Sequence, residues 1–257
     1  MDSGHKTHLW RRPDLAFFLD LDGTLIPIVP HPDDATLDAC GRTVLRELMA
    51  LSGGAVALVS GRTISAVDRV VEPLRLPVAG VHGAEWRDPA GRYHRPSAPS
   101  PRLMTALRDR LRALTAAYPG TFVEEKGIAL AVHFRRAPEY QMPIQRALSE
   151  IAAGAAGQLT LQAGKCVYEL RPADGDKGRA VRHFMAEAPF ASRAPVYLGD
   201  DLTDEHAFVA VNALGGYSIK VGAGHTEARW RLPDQPAVID WLRGNRPAAA
   251  IRGEHGD

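Results

Sequence analysis

The sequence predicts an α/β protein whose doubly wound parallel sheet is interrupted by an inserted α+β unit. Three observations lead there. Short apolar runs without polar alternation recur at 16–19, at 55–59 and in "APVYL", as strands covered on both faces require. Segments with helical spacing follow these runs, the β-then-α order of a doubly wound core. Between residues 99 and 173 that rhythm gives way to helix, strand, strand, repeated once.

Each element follows in order. Ala16 to Leu19 is the first strand. Asp33 and Asp34 are expected to cap a helix through about Leu51, with Leu37, Val44, Leu45, Leu48 and Met49 on its apolar face. Ala55 to Val59 is the second strand, "TISAVDRVV" a helix, and "LPVAGVHGAE" a third strand with a turn. From residue 89, "DPAGRYHRPSAPSP" is rich in Pro, Ser and Gly and reads as a linker. Leu103, Leu107, Leu111 and Leu114 then mark one face of a helix. "TFVEEK" turns at Lys126 and Gly127 into "IALAVHFR". There Ile128, Leu130, Val132 and Phe134 share one face and His133 and Arg135 the other, so an antiparallel strand covered on one side is expected. A helix over 138–153 and strands "QLTLQ" and "CVYELRP", joined by a turn at 164–165, complete the insert. The α/β order resumes with helix "DKGRAVRHFMAEA", strand "APVYLGDD", helix "TDEHAFVAVNA", strand "GYSIKVG" and helix "PAVIDWLRG". The polar tail after Asn245 is expected to fray. The expected domains are thus a core over 14–98 and 174–245 and an insert over 99–173.

Composition narrows the function. The 257 residues are 45% hydrophobic and 24% charged, an ordinary globular balance, with a net charge of +1. So neutral a chain is expected to bind neither nucleic acid nor a membrane surface. No run approaches the roughly 20 apolar residues of a spanning helix, and "MDSGHKTHLWRRP" lacks the apolar stretch of a signal peptide. Cys40 and Cys166 make no disulfide framework and fit a reducing compartment. A cytoplasmic location is expected, and a monomer is favoured. Lysine occurs only at Lys6, Lys126, Lys165, Lys177 and Lys220, whereas arginine is abundant. A lysine in a Gly- or acid-rich stretch is then a candidate for a role that needs a compact ammonium.

Four stretches fall where strands of such a core end or helices begin: "DLDGT" at 20–24, "SGR" at 60–62, "DKG" at 176–178 and "GDDLTDE" at 199–205. Each alone is an ordinary turn or helix cap. Together they bring Asp20, Asp22, Asp200, Asp201 and Asp204 toward one sheet edge, where ligands of open α/β sheets bind. So much negative charge calls for compensation. Lys177 supplies one positive charge, and Mg²⁺ suits a few carboxylates with waters and a phosphate oxygen. Ser60 offers a hydroxyl and backbone N–H groups, and Gly23 and Gly61 are expected to let the backbone approach a ligand closely. The set fits phosphoryl transfer, which rests on positioning and charge neutralisation.

These four stretches resemble the motifs of the haloacid dehalogenase-like phosphohydrolases. "LDLDGTLIPIVPHPDDA", "GVHGAEWR", "EEKGIALAVHFRRAP", "GKCVYELRP" and "YLGDDLTDE" are more closely similar to the trehalose-6-phosphate phosphatase family, from Phe17 to Leu242. The resemblance implies a Rossmann-like hydrolase core with a cap domain, Mg²⁺ as cofactor, and trehalose 6-phosphate as substrate. It implies that Asp20 is the nucleophile and that Asp22 is the general acid and base. Asp20 and Asp200 would bind Mg²⁺ by side chain and Asp22 by its carbonyl, with Thr24, Asp201 and Asp204 behind them. Ser60 and Lys177 would grip the phosphoryl group. Glu124, Lys126 and Glu169 match cap positions that hold sugar hydroxyls, and Gly61, Arg62 and His82 are further candidate contacts. His133, Arg135, Arg171 and Glu85 remain open between ligand contact and structure. A phosphatase for sucrose 6-phosphate or a glucosyl-glycerol phosphate shares the core motifs. A non-catalytic sugar-phosphate sensor would not need Asp22.

Overall fold

The computed structural model describes residues 12–29, 31–95, 99–164, 166–245 and 249–250. In chain order the strands are β1 (Leu15–Leu19), β2 (Val56–Val59), β3 (Val78–Gly80), β4 (Glu85–Arg87), β5 (Tyr93–His94), β6 (Phe122–Lys126), β7 (Ala129–His133), β8 (Leu159–Gly164), β9 (Val167–Pro172), β10 (Ala194–Gly199), β11 (Tyr217–Val221), β12 (Trp230–Leu232) and β13 (Ala249–Ala250). The helices are α1 (Ala39–Leu51), α2 (Ile64–Val71), α3 (Pro101–Ala116), α4 (Gln141–Gly154), α5 (Lys177–Met185), α6 (Glu205–Ala213) and α7 (Gln235–Leu242). They fall into two compact units: one runs to His94 and resumes at Asp176, and the other is Arg95–Gly175. Among the described residues, no helix is long and apolar enough to cross a membrane.

The first unit is built on one sheet, in the order β13-β12-β11-β10-β1-β2-β3-β4-β5. The strands from β12 to β3 are parallel. The chain leaves β1 toward β2 and β3, then fills the opposite side from β10 outward. The strand order therefore reverses between β1 and β10, which is where an open α/β sheet binds its ligand. Asp20 and Asp200 are the residues that follow those two strands.

Alternate residues of the central strands serve two cores, as the two-residue period of a strand dictates. Leu15, Phe17 and Leu19 pack with Val56, Leu58, Val196 and Leu198 and with residues of α1, α2 and α7. Ala16 and Phe18 pack with Ala57, Val59 and Tyr197 and with Phe184 of α5 and Phe208 of α6. Each fully buried Phe or Leu contributes about 1.5–3 kcal/mol, which holds β1 too firmly for its carboxyl end to wander.

The structure corrects the sequence reading in several places. Asp33 and Asp34 lie in a separate 3₁₀ turn, Pro32–Asp34, and α1 starts later. Its cap is Asp38, whose carboxylate accepts the Gly41 N–H at 2.7 Å. The core sheet continues into the stretch read as a linker, because β4 and β5 form a hairpin through Asp88, which accepts the Arg92 N–H. β12 carries no strand signal in the sequence. It is three residues long and too short to announce itself beside the polar "GAGHTEAR" loop. Within the tail, Ala249–Ala250 pairs antiparallel with β12 instead of fraying. Residues 246–248 and 251–257 lie outside the described residues, as does Lys165 of the 164–165 turn.

The second unit is an antiparallel sheet, β6-β7-β9-β8, with α3 and α4. Leu130, Val132, Tyr168 and Leu170 pack against Met104, Leu107 and Leu111 of α3 and Ile144 and Leu148 of α4. Register fixes the residues of the other face. Glu124 pairs with Ala131, Ala131 with Glu169, and Glu169 with Gln162, while Phe122 pairs with His133. The expected one-sided burial of β7 is incomplete, since Ala129 and Ala131 are buried too. β7 is a central strand, and longer side chains on β6 and β9 overshadow its alanines.

Candidate active site

The switch point gathers a buried charged cluster. Asp20 leaves β1 with its N–H donated to Leu198 of β10 at 3.0 Å. Its Oδ1 accepts from Lys177 Nζ at 2.7 Å, and Lys177 Nζ also reaches Asp204 Oδ1 at 2.6 Å. Asp20 and Lys177 are each 3% exposed. Asp176 caps α5 by accepting the Arg179 N–H, so Lys177 is delivered from the first residue of a well-started helix. Thr24 Oγ1 lies 3.3 Å from both Asp20 Oδ2 and Asp200 Oδ1.

Asp20, Asp200 and Asp204 each present a carboxylate oxygen within 4.8 Å of the others. Asp204 is already engaged: Oδ1 accepts from Lys177 and from Tyr197 Oη at 2.7 Å, and Oδ2 from the Asp201 N–H at 2.9 Å. Acceptor capacity toward a cation therefore rests mainly with Asp20 and Asp200. Three carboxylates face one ammonium, and burial raises the cost of that imbalance. Burial, opposed by Lys177 and reinforced by Asp204 and Asp200, pushes the Asp20 carboxyl well above its usual range. Burial and the Asp204 charge raise Asp200 to about 6. Burial alone would lower Lys177, but the charges of Asp20 and Asp204 outweigh it and raise it. An oxygen-only donor set with excess negative charge fits a hard divalent cation.

Asp22 is directed elsewhere. Arg62 holds it bidentately, with Nε and Nη2 both at 2.7 Å, and Arg62 Nη1 donates to the Pro32 carbonyl at 2.7 Å. Ser60 ends β2, buried, and its Oγ accepts the Arg62 N–H at 3.1 Å. Asp201 is exposed and lies outside the converging group of carboxylates. The glycines make room for side chains of the site. Gly23 has φ +83°, and a Cβ there would fall 2.2 Å from Asp200 Oδ2. A Cβ on Gly61 would fall 2.6 Å from the His82 ring, which is itself held at φ +54° with its N–H on the Ser60 carbonyl. Glu85 is buried and accepts the Ile64 N–H at 2.9 Å, which ties the start of α2 to β4.

Three contributors were not singled out as site residues from the sequence. Tyr197 braces Asp204. Lys220 donates to the Asp200 carbonyl, and its scarcity as a lysine was the available signal. Gln235 Nε2 binds the Leu25 carbonyl at 2.8 Å and steadies the 20–26 loop. A cavity of about 360 Å³ opens beside Asp200, lined also by Gly23, Ile28, Gly222 and Asp234.

The polar face of the second unit is internally bonded. Lys126 Nζ donates to Glu169 Oε2 at 2.7 Å, and His133 Nε2 lies 2.7 Å from Glu124 Oε2. Arg171 donates to Gln162 Oε1 at 3.2 Å and to the Gly175 carbonyl. Arg135 is exposed in the turn after β7.

Comparison with known proteins fits this geometry. The trehalose-phosphatase family pattern matches residues 18–236. The chain is 45% identical over 230 residues to the trehalose-6-phosphate phosphatase of Escherichia coli K12, covering 88% of this chain and 85% of that protein. It is 39% identical over 238 residues to a probable trehalose-phosphate phosphatase of Sinorhizobium fredii NGR234, covering 92% and 88%. In fold it is similar to the C-terminal domain of C. albicans trehalose-6-phosphate phosphatase, with a TM-score of 0.79 at 23% identity over 90% of this chain and 91% of that one. With a buried acid–lysine cluster at the switch point and a family match spanning both units, the chain belongs to the trehalose-phosphatase family.

Proposed function

We propose that this chain hydrolyses trehalose 6-phosphate to trehalose and inorganic phosphate through an aspartyl-phosphate on Asp20. The observation that supports this most is the buried Asp20–Lys177 pair at the switch point, with Asp200 beside it. In the first step a carboxylate oxygen of Asp20 attacks phosphorus in line while the bond from phosphorus to the sugar oxygen breaks. Asp22 gives its proton to that oxygen, so the sugar leaves neutral. In the second step water attacks phosphorus, Asp22 takes its proton, and the acyl-phosphate bond breaks to return Asp20. Ser60 and Lys177 hold the transferring group, with Gly61 and His82 alongside. Asp22 is paired with Arg62 and must be released to work. A phosphate dianion offers the guanidinium another bidentate partner, which is how substrate would free Asp22.

Asp20, Asp200 and the Asp22 carbonyl would hold Mg²⁺, oriented by Thr24, Asp201 and Asp204. When bound, the ion neutralises charge on the transferring phosphoryl group. Glu124, Lys126 and Glu169 would bind the sugar hydroxyls. The test is phosphate release from a panel of sugar phosphates, followed by Glu124→Ala, Lys126→Ala and Glu169→Ala. Loss of a charged contact costs about 2–4 kcal/mol. Each variant should therefore lose trehalose 6-phosphate hydrolysis far more than hydrolysis of p-nitrophenyl phosphate, which has no sugar. An unchanged ratio of the two specificity constants in all three variants would remove these residues from the substrate site.

A further inference from the structure

Phe122 is the one aromatic carbocycle among the described residues on a face that otherwise carries Glu124, Lys126, His133, Glu169, Gln162 and Arg171 with the small apolar Ala129, Ala131 and Val167. It opens β6, is 55% exposed, and sits one same-face position before Glu124, about 7 Å along the strand. One face of its ring is backed by the His133 imidazole, with centroids 4.6 Å apart and planes 7° from parallel. His133 in turn is held by Glu124 at 2.7 Å. The ring is thus fixed from behind by a hydrogen-bonded partner, while much of it stays open to solvent. Helices α3 and α4 pack on the opposite face of the sheet, so Phe122 is not a stray member of that core.

A glucopyranose chair carries its hydroxyls around the rim and C–H bonds on its flat faces. Recognition of both needs polar groups beside an apolar plate, and the row of Glu124, Lys126 and Glu169 next to Phe122 provides that pairing. We propose that Phe122, braced by His133, is a specificity-determining residue that stacks against a glucosyl ring of the substrate. This inference rests on the trehalose phosphatase reading and on the polar face of the second unit being its sugar-binding surface. Glu124 then has two duties, contact with the sugar and orientation of the imidazole behind the plate.

The experiment compares wild type with Phe122→Ala, Phe122→Leu and Phe122→Trp. It reads the ratio of specificity constants for trehalose 6-phosphate and p-nitrophenyl phosphate, and the inhibition of ester hydrolysis by free trehalose. Aromatic stacking geometry is worth a factor of about 3–10. The Ala and Leu variants should lower the ratio by about that factor through KM and weaken trehalose inhibition in parallel, whereas Trp should retain both. An unchanged ratio in Phe122→Ala makes Phe122 an exposed ring only and overturns the proposal. Full retention in Phe122→Leu overturns stacking in favour of plain apolar contact. Equal loss on both substrates assigns Phe122 to the stability of its unit and also overturns it. Failure of the wild-type enzyme to hydrolyse trehalose 6-phosphate overturns the underlying reading, and shows itself before any variant is made.

Discussion

Lys177 Nζ lies 2.7 Å from Asp20 Oδ1, and both side chains are almost wholly removed from water. The pair is half of a charge system that also binds Lys177 to Asp204 at 2.6 Å. The ammonium therefore has two carboxylates to balance, and its loss would leave both buried and uncompensated.

Lys177→Met is accordingly expected to destabilise the fold by about 3–5 kcal/mol, the cost of stranding one side of a buried ion pair. It should also abolish turnover. Lys177→Arg should rescue neither property fully, because a planar guanidinium cannot replace a compact ammonium between two carboxylates. Denaturant unfolding and phosphate release measure the two effects. A Met variant as stable as wild type would show that the Lys177 ammonium compensates no buried charge in the folded enzyme.

Much of the core was legible from sequence because its signals are local. The apolar runs of β1 and β10 and the acids that end them are contiguous in the chain, so strand and site residue are read together. The lysine count was legible for the same reason. Lys126, Lys177 and Lys220, the three described lysines, each donate to an oxygen in a site or on the polar face. What sequence could not supply was partnership over distance. Arg62 and Asp22 are 40 residues apart and their bidentate pairing depends on how β1 and β2 align. A further demand on Gly23 and Gly61 was hidden for the same cause. Both make room for a side chain from another segment, Asp200 and His82, and neither space is visible until the segments meet.

Metal removal should act on stability as well as activity. Exhaustive chelation is expected to abolish turnover, and Mg²⁺ to restore it. A cation that binds only the folded cluster of Asp20 and Asp200 also stabilises the fold, by about 2.7 kcal/mol at a hundred times its dissociation constant. The thermal midpoint should therefore rise with Mg²⁺ in wild type and rise much less in Asp200→Asn. Full activity in a verified metal-free preparation would rule out the metal requirement.

A separate prediction concerns pH and the β4–β5 hairpin. Burial alone would raise the Asp88 carboxyl. Hydrogen bonds from His94 and from the Arg92 N–H and guanidinium, with the Arg92 charge, outweigh burial and hold it below the usual range. Its folded pKa lies under the unfolded value of about 3.9, so its stabilising contribution is complete above that value. It is lost as pH falls through the folded pKa. Asp88→Asn should cost about 1–3 kcal/mol at neutral pH and progressively less below about pH 4. Denaturant titrations at pH 7 and pH 3 measure the difference. A cost independent of pH would mean that the charge of Asp88 contributes nothing.

The last prediction separates the two duties of the Asp22–Arg62 pair. In the proposed mechanism Asp22 transfers protons, so Asp22→Asn should lower turnover of trehalose 6-phosphate by about 100-fold or more, with ground-state affinity largely intact. p-Nitrophenolate is a weak base that leaves without a proton, so the first step with that ester should suffer less than with the sugar. Arg62 has no proton to give. Its guanidinium is anchored to the Pro32 carbonyl and paired with Asp22, and in the proposed mechanism it exchanges Asp22 for the phosphate. Arg62→Met should therefore weaken substrate and inorganic phosphate binding together. Arg62→Lys should recover only part of the loss, because a single ammonium cannot form the two parallel bonds seen with Asp22. The measurement is KM and kcat for both substrates, with phosphate as a competitive inhibitor. Phosphate inhibition that is unchanged in Arg62→Met would confine Arg62 to holding Asp22, and the exchange of partners would be wrong.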